Sequence, residues 1–438
     1  MANKFIRETQ EYVLQGIDPG GFYQAIWARD ASYILKDWFL SGNIEGALRQ
    51  IYFIWSHQIE AKKEQKLVYG RGSPEMNFSS EVANEKKLKE FEGALPTTIY
   101  HDGFSEVYGQ DPDIDSTALM LSATSWILVR TLKEEEESRV RHLQERPVIA
   151  AEHSSNYLSA LLSKVGITDP SKVSDFVIPK MLKAVCYLIS RDKDNDGLLE
   201  QNCNEDWMDT ILRSGKIVYS QACWLLALTD FTALLLKVRR ERDAKKLMAL
   251  TTETIQAVEE KLWSDNDSSY VDFQRHEWPS RMLTQDVSLY LVAITEKMIT
   301  NWQDNKEGET QSTQRAYIRA IMTLNAMRRR LWKDSWPLVT EVELRATGPW
   351  ILKPYEYHNR TFWPWISGIE MLARSRFNLF EECNILLSKI VSDRHQHKHA
   401  FYEWTNPITD QPNGAYPFRT GISSIRLALF DIIYRNNL

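Results

Sequence analysis

The sequence predicts an all-α fold, a toroid of about twelve helices arranged as hairpins with six inner and six outer helices. Apolar residues recur in one segment after another with the i, i+3, i+4, i+7 spacing of an amphipathic helix. Extended segments between them are short. The longest loops, which follow every second helix, are rich in Trp, His, Asp and Glu. This alternation favours a toroid of helical hairpins.

The elements follow in chain order. Residues 1–20 form a leading segment that ends in the turn Asp18-Pro19-Gly20-Gly21, and GFYQAIWARDASYIL then leads into the first helix. Residues 62–112 are a polar excursion that is too long to serve only as a connecting loop. We expect this excursion, which includes Arg71, His101 and Asp102, to act as a lid or as a contact with a partner subunit in a homo-oligomer. His101 is also a candidate for substrate binding. Further helices are predicted over residues 43–61, 115–133, 154–165, 175–190, 216–239, 243–262, 284–300, 311–332, 364–376, 378–393 and 419–435.

The organisation of the chain indicates one domain, residues 1–438, because no linker of domain scale interrupts it. A strict repeat of the tetratricopeptide or HEAT type is absent from the sequence, which argues against an open solenoid. The sequence also has no glycine-rich phosphate loop and no βαβ pattern.

Charge and cysteine usage narrow the partners and the compartment. The formal net charge is −6, whereas a nucleic acid or an anionic membrane requires a basic footprint. No apolar run approaches the ~18 residues of a membrane span, and MANKFIRETQEYVLQG lacks the apolar core of a signal peptide. The four cysteines show no CxxC pairing, which predicts reduced, structural thiols in a cytoplasmic protein.

The aromatic content points to a class of ligand. The chain has 15 Trp residues, and flat aromatic faces stack on the C–H faces of sugar rings. A Trp-rich core would explain the same composition. The Trp content alone therefore leaves both a carbohydrate site and a Trp-rich core open.

An acidic turn opens the stretch DKDNDGLLEQNCNEDWMDT. Asp192, Asp194, Asp196 and Gly197 predict a tight turn, because Asp side chains bond their own backbone and Gly tolerates positive φ. DxDxDG also resembles the beginning of a calcium loop. The twelfth residue, however, is Cys203, where an EF-hand places a bidentate Glu. We therefore predict no metal and no cofactor.

The same stretch continues into a loop of carboxylates and large apolar residues. Glu205, Asp206 and Asp209 alternate with Trp207 and Met208. Partial burial among apolar side chains disfavours the charged form of a carboxyl group, which is the condition that a general acid needs. A solvated acidic loop without chemistry is the alternative.

Three other stretches have a similar character. Trp27, Arg29 and Asp30 together offer a stacking face, a donor fork and acceptor oxygens suited to sugar hydroxyls, or else an ordinary surface ion pair. GPWILKPYEYHNRTFWPWISG crowds aromatic and polar groups into one loop, as in a pocket wall. Glu403 stands between Tyr402 and Trp404, which suits a general base, although a glutamate at a helix end would look the same.

At this point the chain resembles a known family. WARDASYIL, the block from DGLLE through NEDWMDT to GKIVYSQACWLLAL, YHNRTFWPW and FYEWTNPIT are similar to motifs of the (α/α)6-barrel glycoside hydrolases, in the same order. The likeness is closest to the glucosidase domain of glycogen-debranching enzyme. Processing α-glucosidase I and the mannosylglycerate and glucosylglycerate hydrolases are also similar. The resemblance implies a barrel that acts on a carbohydrate substrate.

The resemblance also implies roles for individual residues. Asp209, in the WMD motif, would be the general acid and Glu403 the general base. Relatives of this kind invert the anomeric centre, so a water molecule must fit between the base and the sugar. The residues implied to bind the sugar in the same pocket are Trp27, Arg29, Asp30, Trp207, His358, Trp363 and Trp365.

Some positions depart from the family or compete for a role. Glu205 and Asp206 compete with Asp209, since related barrels place a glutamate in the corresponding loop, and Asp206 is also a candidate for sugar binding. Asp115 opens a helix, where it would bind sugar or act only as an N-cap. Asp410 stands where the family often has Gly. The β-sandwich that precedes the barrel in many relatives is absent from this sequence.

Taken together, these residues predict an inverting glycoside hydrolase that removes an α-linked glucosyl group. Two alternatives come from other classes. A sugar epimerase on the same toroid would use a histidine pair such as His101 and His358. A glycan-binding protein without catalysis would not need Asp209 or Glu403.

Overall fold

The computed structural model describes residues 1–61, 66–77, 79–144, 171–274, 282–303, 310–343, 352–392, 396–397 and 400–436. Within these ranges the chain forms thirteen α-helices and fifteen short strands. The helices are α1 (Ala2–Leu14), α2 (Ala28–Leu40), α3 (Ile44–Ser56), α4 (Glu85–Glu90), α5 (Ile114–Gln144), α6 (Ser171–Ile189), α7 (Val218–Lys237), α8 (Glu241–Lys261), α9 (Val287–Gln303), α10 (Thr310–Arg330), α11 (Pro364–Arg376), α12 (Phe380–Ile390) and α13 (Arg419–Asn436).

Six of these helices contact one another in a closed cycle. Helix α2 packs on α5, α5 on α7, α7 on α9, α9 on α11 and α11 on α13, and α13 returns to α2. We call these six the ring helices. Each also packs against one of the flanking helices α1, α3, α6, α8, α10 and α12. Ring and flanking helices therefore alternate along the chain, apart from the short helix α4.

Local sequence signals explain several of the helix boundaries. Asn43 caps α3, because its side chain accepts a hydrogen bond of 3.2 Å from the amide of Gly46. Pro364 occupies the first turn of α11, where its missing N–H is not needed. Helix α7 is apolar on nearly every side, as expected of a helix that is buried between neighbours.

Helix α7 also has the length and hydropathy of a membrane span. Among the described residues, the helix Val218–Lys237 is the one long and apolar enough to cross a membrane, and 83% of its most apolar stretch is buried inside the protein. A core helix of a globular domain meets the same criteria.

The ring is closed by polar contacts between distant parts of the sequence. The guanidinium of Arg426 on α13 contacts both oxygens of Asp37 on α2 at 3.0 and 2.8 Å, and both side chains are fully buried. The hydroxyl of Thr420 donates to Asp30 at 2.6 Å. Helices α2 and α13 are thus held together by charge as well as by packing.

The excursion between α3 and α5 contains most of a small sheet. Strands β1 (Ile26–Trp27), β2 (Leu67–Arg71), β3 (Glu81–Val82), β4 (Thr98–Ile99) and β5 (Ser105–Tyr108) pair in the order β1-β4-β5-β2-β3. The β2–β5 pair is parallel and the other pairs are antiparallel. Because β1 runs directly into α2, the sheet is attached at the end of a ring helix.

The other strands form short ribbons. They are β6 (Gly215–Lys216), β7 (Trp263–Ser264), β8 (Ser269–Tyr270), β9 (Phe273–Gln274), β10 (Trp332–Lys333), β11 (Trp336–Pro337), β12 (Gln396–His397), β13 (Ala400–Phe401), β14 (Trp404–Asn406) and β15 (Gln411–Asn413). Their antiparallel pairs are β6–β9, β7–β8, β10–β11, β12–β13 and β14–β15.

The prediction of a mainly helical chain of about a dozen helices is confirmed. Ten of the predicted helix ranges coincide with observed helices to within a few residues, except that α5 continues to Gln144. The leading segment was not predicted to be helical and forms α1, and α4 was not predicted. Gly215 and Lys216, where a helix was expected to begin, instead form β6. The helix predicted at 154–165 lies outside the described residues.

Candidate active site

A pocket opens where the chain enters α2, and it encloses about 380 Å³ including the solvent at its mouth. Four separate stretches of sequence supply its walls. The lining residues are Pro19, Tyr23, Trp27, Arg29, Asp30, Trp207, Asp209, Tyr357, Trp363, Trp365, Glu403 and Phe418.

Asp209 reaches this pocket from the loop between α6 and α7, and 25% of its side chain is exposed. Burial raises the pKa of its carboxyl group to about 7, the charge of Arg29 opposes that rise, and the charges of Glu403 and Asp206 add to it. A carboxyl group with such a pKa is partly protonated at neutral pH. Asp209 therefore has the property that a general acid requires.

The loop that carries Asp209 is fixed by buried polar contacts. Asp206 accepts hydrogen bonds from the Met208 amide at 2.8 Å and from the Arg213 side chain at 2.8 Å. The Trp207 indole N–H donates to Asp286 at 2.7 Å, and Arg213 contacts Asp286 at 2.8 Å. The residues around Asp209 are therefore tied to the segment that leads into helix α7 and to the beginning of α9.

Glu403 enters the pocket from the opposite end of the sequence and is 2% exposed. Its Oε1 accepts hydrogen bonds from Tyr23 at 2.7 Å and Tyr357 at 3.3 Å, and its Oε2 accepts from the Ala415 amide at 2.9 Å. Burial raises the pKa of Glu403, while these three donors lower it. Donors aimed at both oxygens orient the carboxylate and partly offset the effect of burial, which still leaves the pKa of Glu403 above its ordinary value.

Gly414 permits this placement of Glu403. Its φ is +79°, a backbone conformation that side chains rarely adopt. A Cβ at this position would overlap Glu403 Oε2 and lie 2.7 Å from Glu403 Cβ. The backbone that follows strand β15 can therefore approach the carboxylate only because residue 414 is glycine.

Arg29 lies between two carboxylates at the beginning of α2. Its guanidinium is 3.2 Å from Asp30 and 3.4 Å from Asp115, and 13% of its side chain is exposed. Arg29 and Asp30 line the pocket, whereas Asp115 is fully buried and also accepts a bond from Tyr219 at 3.1 Å. Asp115 therefore lies behind the pocket wall and holds Arg29.

Aromatic rings form the other walls. Trp207 packs edge-to-face against Trp365 at 4.9 Å and against Trp363 at 5.6 Å. His358 stacks on Trp363 at 4.8 Å and lies 3.9 Å from Asp209, with its Nδ1 bonded to Thr210 at 2.8 Å. Burial, together with the charges of Arg29 and Arg213, lowers the pKa of His358 well below its ordinary value. His358 is therefore a neutral ring. It was expected to line the pocket, but it is buried and is not among the lining residues.

Several candidates from the sequence lie outside the pocket lining. Glu205 is fully buried and accepts bonds of 2.8 Å from Arg191 and 2.7 Å from the Asn202 amide. Asp206 is buried in the contacts with Arg213 described above. His101 is exposed in a turn of the excursion, with its ring 6.5 Å from Phe53 on the flanking helix α3. The structure thus places His101 and His358 in different environments.

The sequence did not single out Tyr23, Tyr357 or Gly414 for a role at the site. Tyr23 lies in GFYQAIWARDASYIL and Tyr357 in YHNRTFWPW, but nothing in the sequence distinguished their hydroxyls from those of other tyrosines. Asp410, which stands where the family often has Gly, has a φ of +54°. It therefore adopts the left-handed conformation that Gly favours and that Asp tolerates.

The acidic turn is separate from the pocket lining. Oxygen atoms of Asp192, Asp194 and Asp196 lie within 4.8 Å of one another, a spacing that a cation would accept. The Lys216 ammonium contacts Asp194 at 2.6 Å and also contacts Asp196, and Lys261 contacts Asp196 at 2.7 Å. Two lysines therefore already supply positive charge to this turn.

The fold defined by these helices is shared with known glycosidases. No protein-family profile matches the chain. No curated protein matches it either. The resemblance to (α/α)6-barrel glycoside hydrolases that the motifs indicated is confirmed at the level of fold.

Three solved structures illustrate the similarity. A wild-type glycosidase is 14% identical with a TM-score of 0.52, and the alignment covers 99% of this chain and 97% of that one. The GH63 mannosylglycerate hydrolase of Thermus thermophilus, in complex with glucose, is 14% identical with a TM-score of 0.56, covering 98% of both chains. A rhamnosidase from Klebsiella oxytoca with rhamnose bound is 11% identical with a TM-score of 0.54, covering 99% of this chain and 64% of that one.

Proposed function

We propose that this protein is an inverting glycoside hydrolase with an (α/α)6 barrel, and that it removes an α-linked glucosyl group. One observation carries the proposal. A single pocket contains Asp209, whose pKa is about 7, and Glu403, whose two oxygens accept three hydrogen bonds. Two carboxyl groups in such contrasting environments suit an acid and a base.

The proposed reaction uses both groups in one step. Asp209 donates its proton to the glycosidic oxygen as the bond from that oxygen to the anomeric carbon breaks. Glu403 takes a proton from a water molecule, whose oxygen bonds to the opposite face of the same carbon. The products are a free sugar of inverted configuration and the leaving alcohol, and no cofactor is needed. A later proton exchange with water restores Asp209 and Glu403.

The remaining pocket residues suit a sugar. Arg29 and Asp30 offer donors and acceptors for ring hydroxyls, and Trp27, Trp363 and Trp365 offer ring faces. The glucosyl preference rests on the debranching-type motifs WMD and YHNRTFWPW. We further propose that residues 1–438 form one domain and that the protein works in the cytoplasm, consistent with the four free cysteines.

Product analysis tests the proposal. The protein is incubated with maltose, isomaltose, trehalose, α-glucosylglycerate and a debranching limit dextrin, and the anomer formed first is identified by proton NMR. Release of a β-sugar that is lost in both Asp209→Asn and Glu403→Gln supports the proposal. Glu205→Gln is the matched control, because its carboxylate lies outside the pocket lining, and it should retain turnover. Retention of configuration, or full activity of either pocket variant, would overturn the mechanism.

A further inference from the structure

A polar shelf adjoins the pocket on the side of the small sheet. Arg71 on β2 and Glu106 and Tyr108 on β5 form it, and we call it the Arg71 shelf. The ring of Tyr108 packs edge-to-face against Trp27 of the pocket wall, with centroids 4.9 Å apart. The Arg71 guanidinium lies 5.1 Å from the centroid of Tyr108, and 52% of the Arg71 side chain is exposed. The shelf therefore extends from the pocket wall to solvent.

The shelf carries little net charge. Glu106, with only 10% of its side chain exposed, accepts bonds of 3.0 and 3.1 Å from Arg71. It also accepts bonds from Thr98 at 3.2 Å and Tyr100 at 3.1 Å, which hold it in place. The positive charge of Arg71 is thus compensated by a fixed carboxylate. What remains at the surface is a set of N–H donors beside an aromatic ring.

The shelf is also anchored to the loop of the proposed acid. The carbonyl oxygen of Arg71 accepts bonds from the Asn204 side chain at 2.8 Å and from the Gly109 amide at 3.1 Å. Asn204 lies in the same loop as Asp209, shortly before it in the sequence. The charge of Arg71 is close enough to lower the pKa of Asp209, against the larger effect of burial. A group on the shelf would therefore lie near the acid.

We propose that the Arg71 shelf binds the leaving group of the substrate and selects a neutral, polyhydroxylated one, such as a sugar or a polyol. The acid must be close to the leaving oxygen, and the shelf adjoins both the pocket wall at Trp27 and the loop of Asp209 at Asn204. An anionic leaving group would meet the carboxylate of Glu106 on the shelf and that of Glu403 in the pocket. The nearby cations are already paired, Arg71 with Glu106 and Arg29 with Asp30 and Asp115. Hydroxyl groups can accept from the guanidinium, and C–H faces can pack on Tyr108. This inference rests on the proposed function.

Three substrates that differ only in the leaving group provide the test: methyl α-glucoside, α-glucosylglycerol and α-glucosylglycerate. The wild type should show a higher kcat/KM for the glycerol compound than for the other two. Arg71→Ala should lower the ratio of glycerol to methyl substrate about 10-fold, the effect expected from losing one hydrogen bond of about 1.5 kcal/mol. Tyr108→Ala should lower the same ratio, because it removes the ring on which the C–H face of the leaving group packs. Tyr108→Phe, which keeps the ring, should retain that ratio. Glu106→Gln should shift the preference towards glycerate, because Arg71 then lacks its carboxylate partner.

The outcomes separate this inference from the proposed function. Unchanged ratios in Arg71→Ala and Tyr108→Ala would overturn the role of the shelf, and a wild-type preference for glycerate would overturn the neutral class. A loss that is the same for methyl and glycerol substrates would indicate a change in acid strength and would also count against binding. If the wild type hydrolyses none of the three, the proposed α-glucoside specificity fails, and this inference fails with it.

Discussion

The hydroxyl of Tyr23 donates a 2.7 Å hydrogen bond to Oε1 of Glu403, a residue 380 positions further along the chain. The contact joins the turn before α2 to the segment before α13. It also gives the proposed base a donor that only the folded ring can provide. The proposed catalytic apparatus is thus assembled across the closure of the ring.

Replacing Tyr23 by Phe should lower kcat/KM by about 10-fold or more, because a hydrogen bond to a charged group contributes about 1.5–3 kcal/mol. Steady-state kinetics on the best substrate would measure the loss. Tyr357→Phe is the comparison variant and should lose less, since its bond to the same oxygen is 3.3 Å long. Wild-type kinetics in Tyr23→Phe would show that this bond does not support the base.

The pH dependence of kcat/KM should be bell-shaped. Asp209 must be protonated, so activity falls as the pH rises through its pKa of about 7. Glu403 must be ionised, so activity falls as the pH drops below its pKa, which burial raises. The Tyr23 hydrogen bond lowers the pKa of Glu403, and Tyr23→Phe should therefore move the acidic limb to higher pH. An acidic limb at the same pH in both proteins would contradict this assignment.

Asp209 should also make the protein less stable as the pH rises from about 4 to about 7. Its pKa is 3.8 when unfolded and about 7 when folded, so in this window the folded state binds a proton that the unfolded state has lost. Asp209→Asn removes the buried charge. Calorimetry would measure the melting temperatures of the variant and the wild type at about pH 4 and about pH 8. The variant should gain more over the wild type at about pH 8 than at about pH 4. An equal difference at both pH values would refute the raised pKa.

Gly414→Ala should lose about 100-fold in kcat/KM, because a displacement of about 1 Å in a catalytic group has an effect of this size. The added Cβ would overlap the Glu403 carboxylate. Gly42→Ala is the matched control, since its φ is +85° and its Cβ would meet nothing within 4 Å. Both variants should lose about 1–2 kcal/mol of stability from the left-handed backbone. Only Gly414→Ala should lose activity, and equal activities would contradict the close approach.

Two buried carboxylates near Arg213 should respond differently to neutralisation. Asp286 bonds both Trp207 and Arg213, so Asp286→Asn should lower the free energy of unfolding by about 3–5 kcal/mol, as expected for a broken buried pair. Asp272 lies 3.7 Å from Arg213, and burial raises its pKa to about 7. Asp272→Asn should therefore cost little near neutral pH. Urea unfolding at neutral pH compares the two variants, and equal losses would contradict this difference.

Most of the ring helices could be predicted from the sequence, because a helix that buries one face repeats apolar residues at a helical period within its own segment. The apolar residues of helices α7 and α11 each lie within one continuous segment, and the predicted ranges of both helices were close to the observed ones. Helix α1 was missed because it follows no strong start signal, and no side chain caps its first turn. The small sheet was missed because β4 and β3 have only two residues each, too few for an alternating pattern.

The site was predictable to the extent that its residues stand in distinctive motifs. Asp209, Glu403, Arg29 and the two tryptophans Trp363 and Trp365 were all named from sequence, and the structure brings them to one pocket. The sequence could not show that Asp209 faces the pocket while its neighbours Glu205 and Asp206 do not. Whether a carboxylate faces the pocket or pairs with an arginine depends on how the loop folds around Arg191 and Arg213, which sequence spacing does not show.

The buried contact between Arg426 and Asp37 has a consequence for biosynthesis. The two residues are 389 positions apart, and a ribosome adding about 5–20 residues each second takes roughly 20–80 s to span that distance. Throughout this interval helix α2 has been made, but the cation that neutralises Asp37 does not yet exist. A carboxylate in that position resists removal from water. The amino-terminal part of the ring therefore cannot complete its packing before helix α13 has been made, and the pocket, which includes Glu403 and Phe418, forms only after those residues have been added.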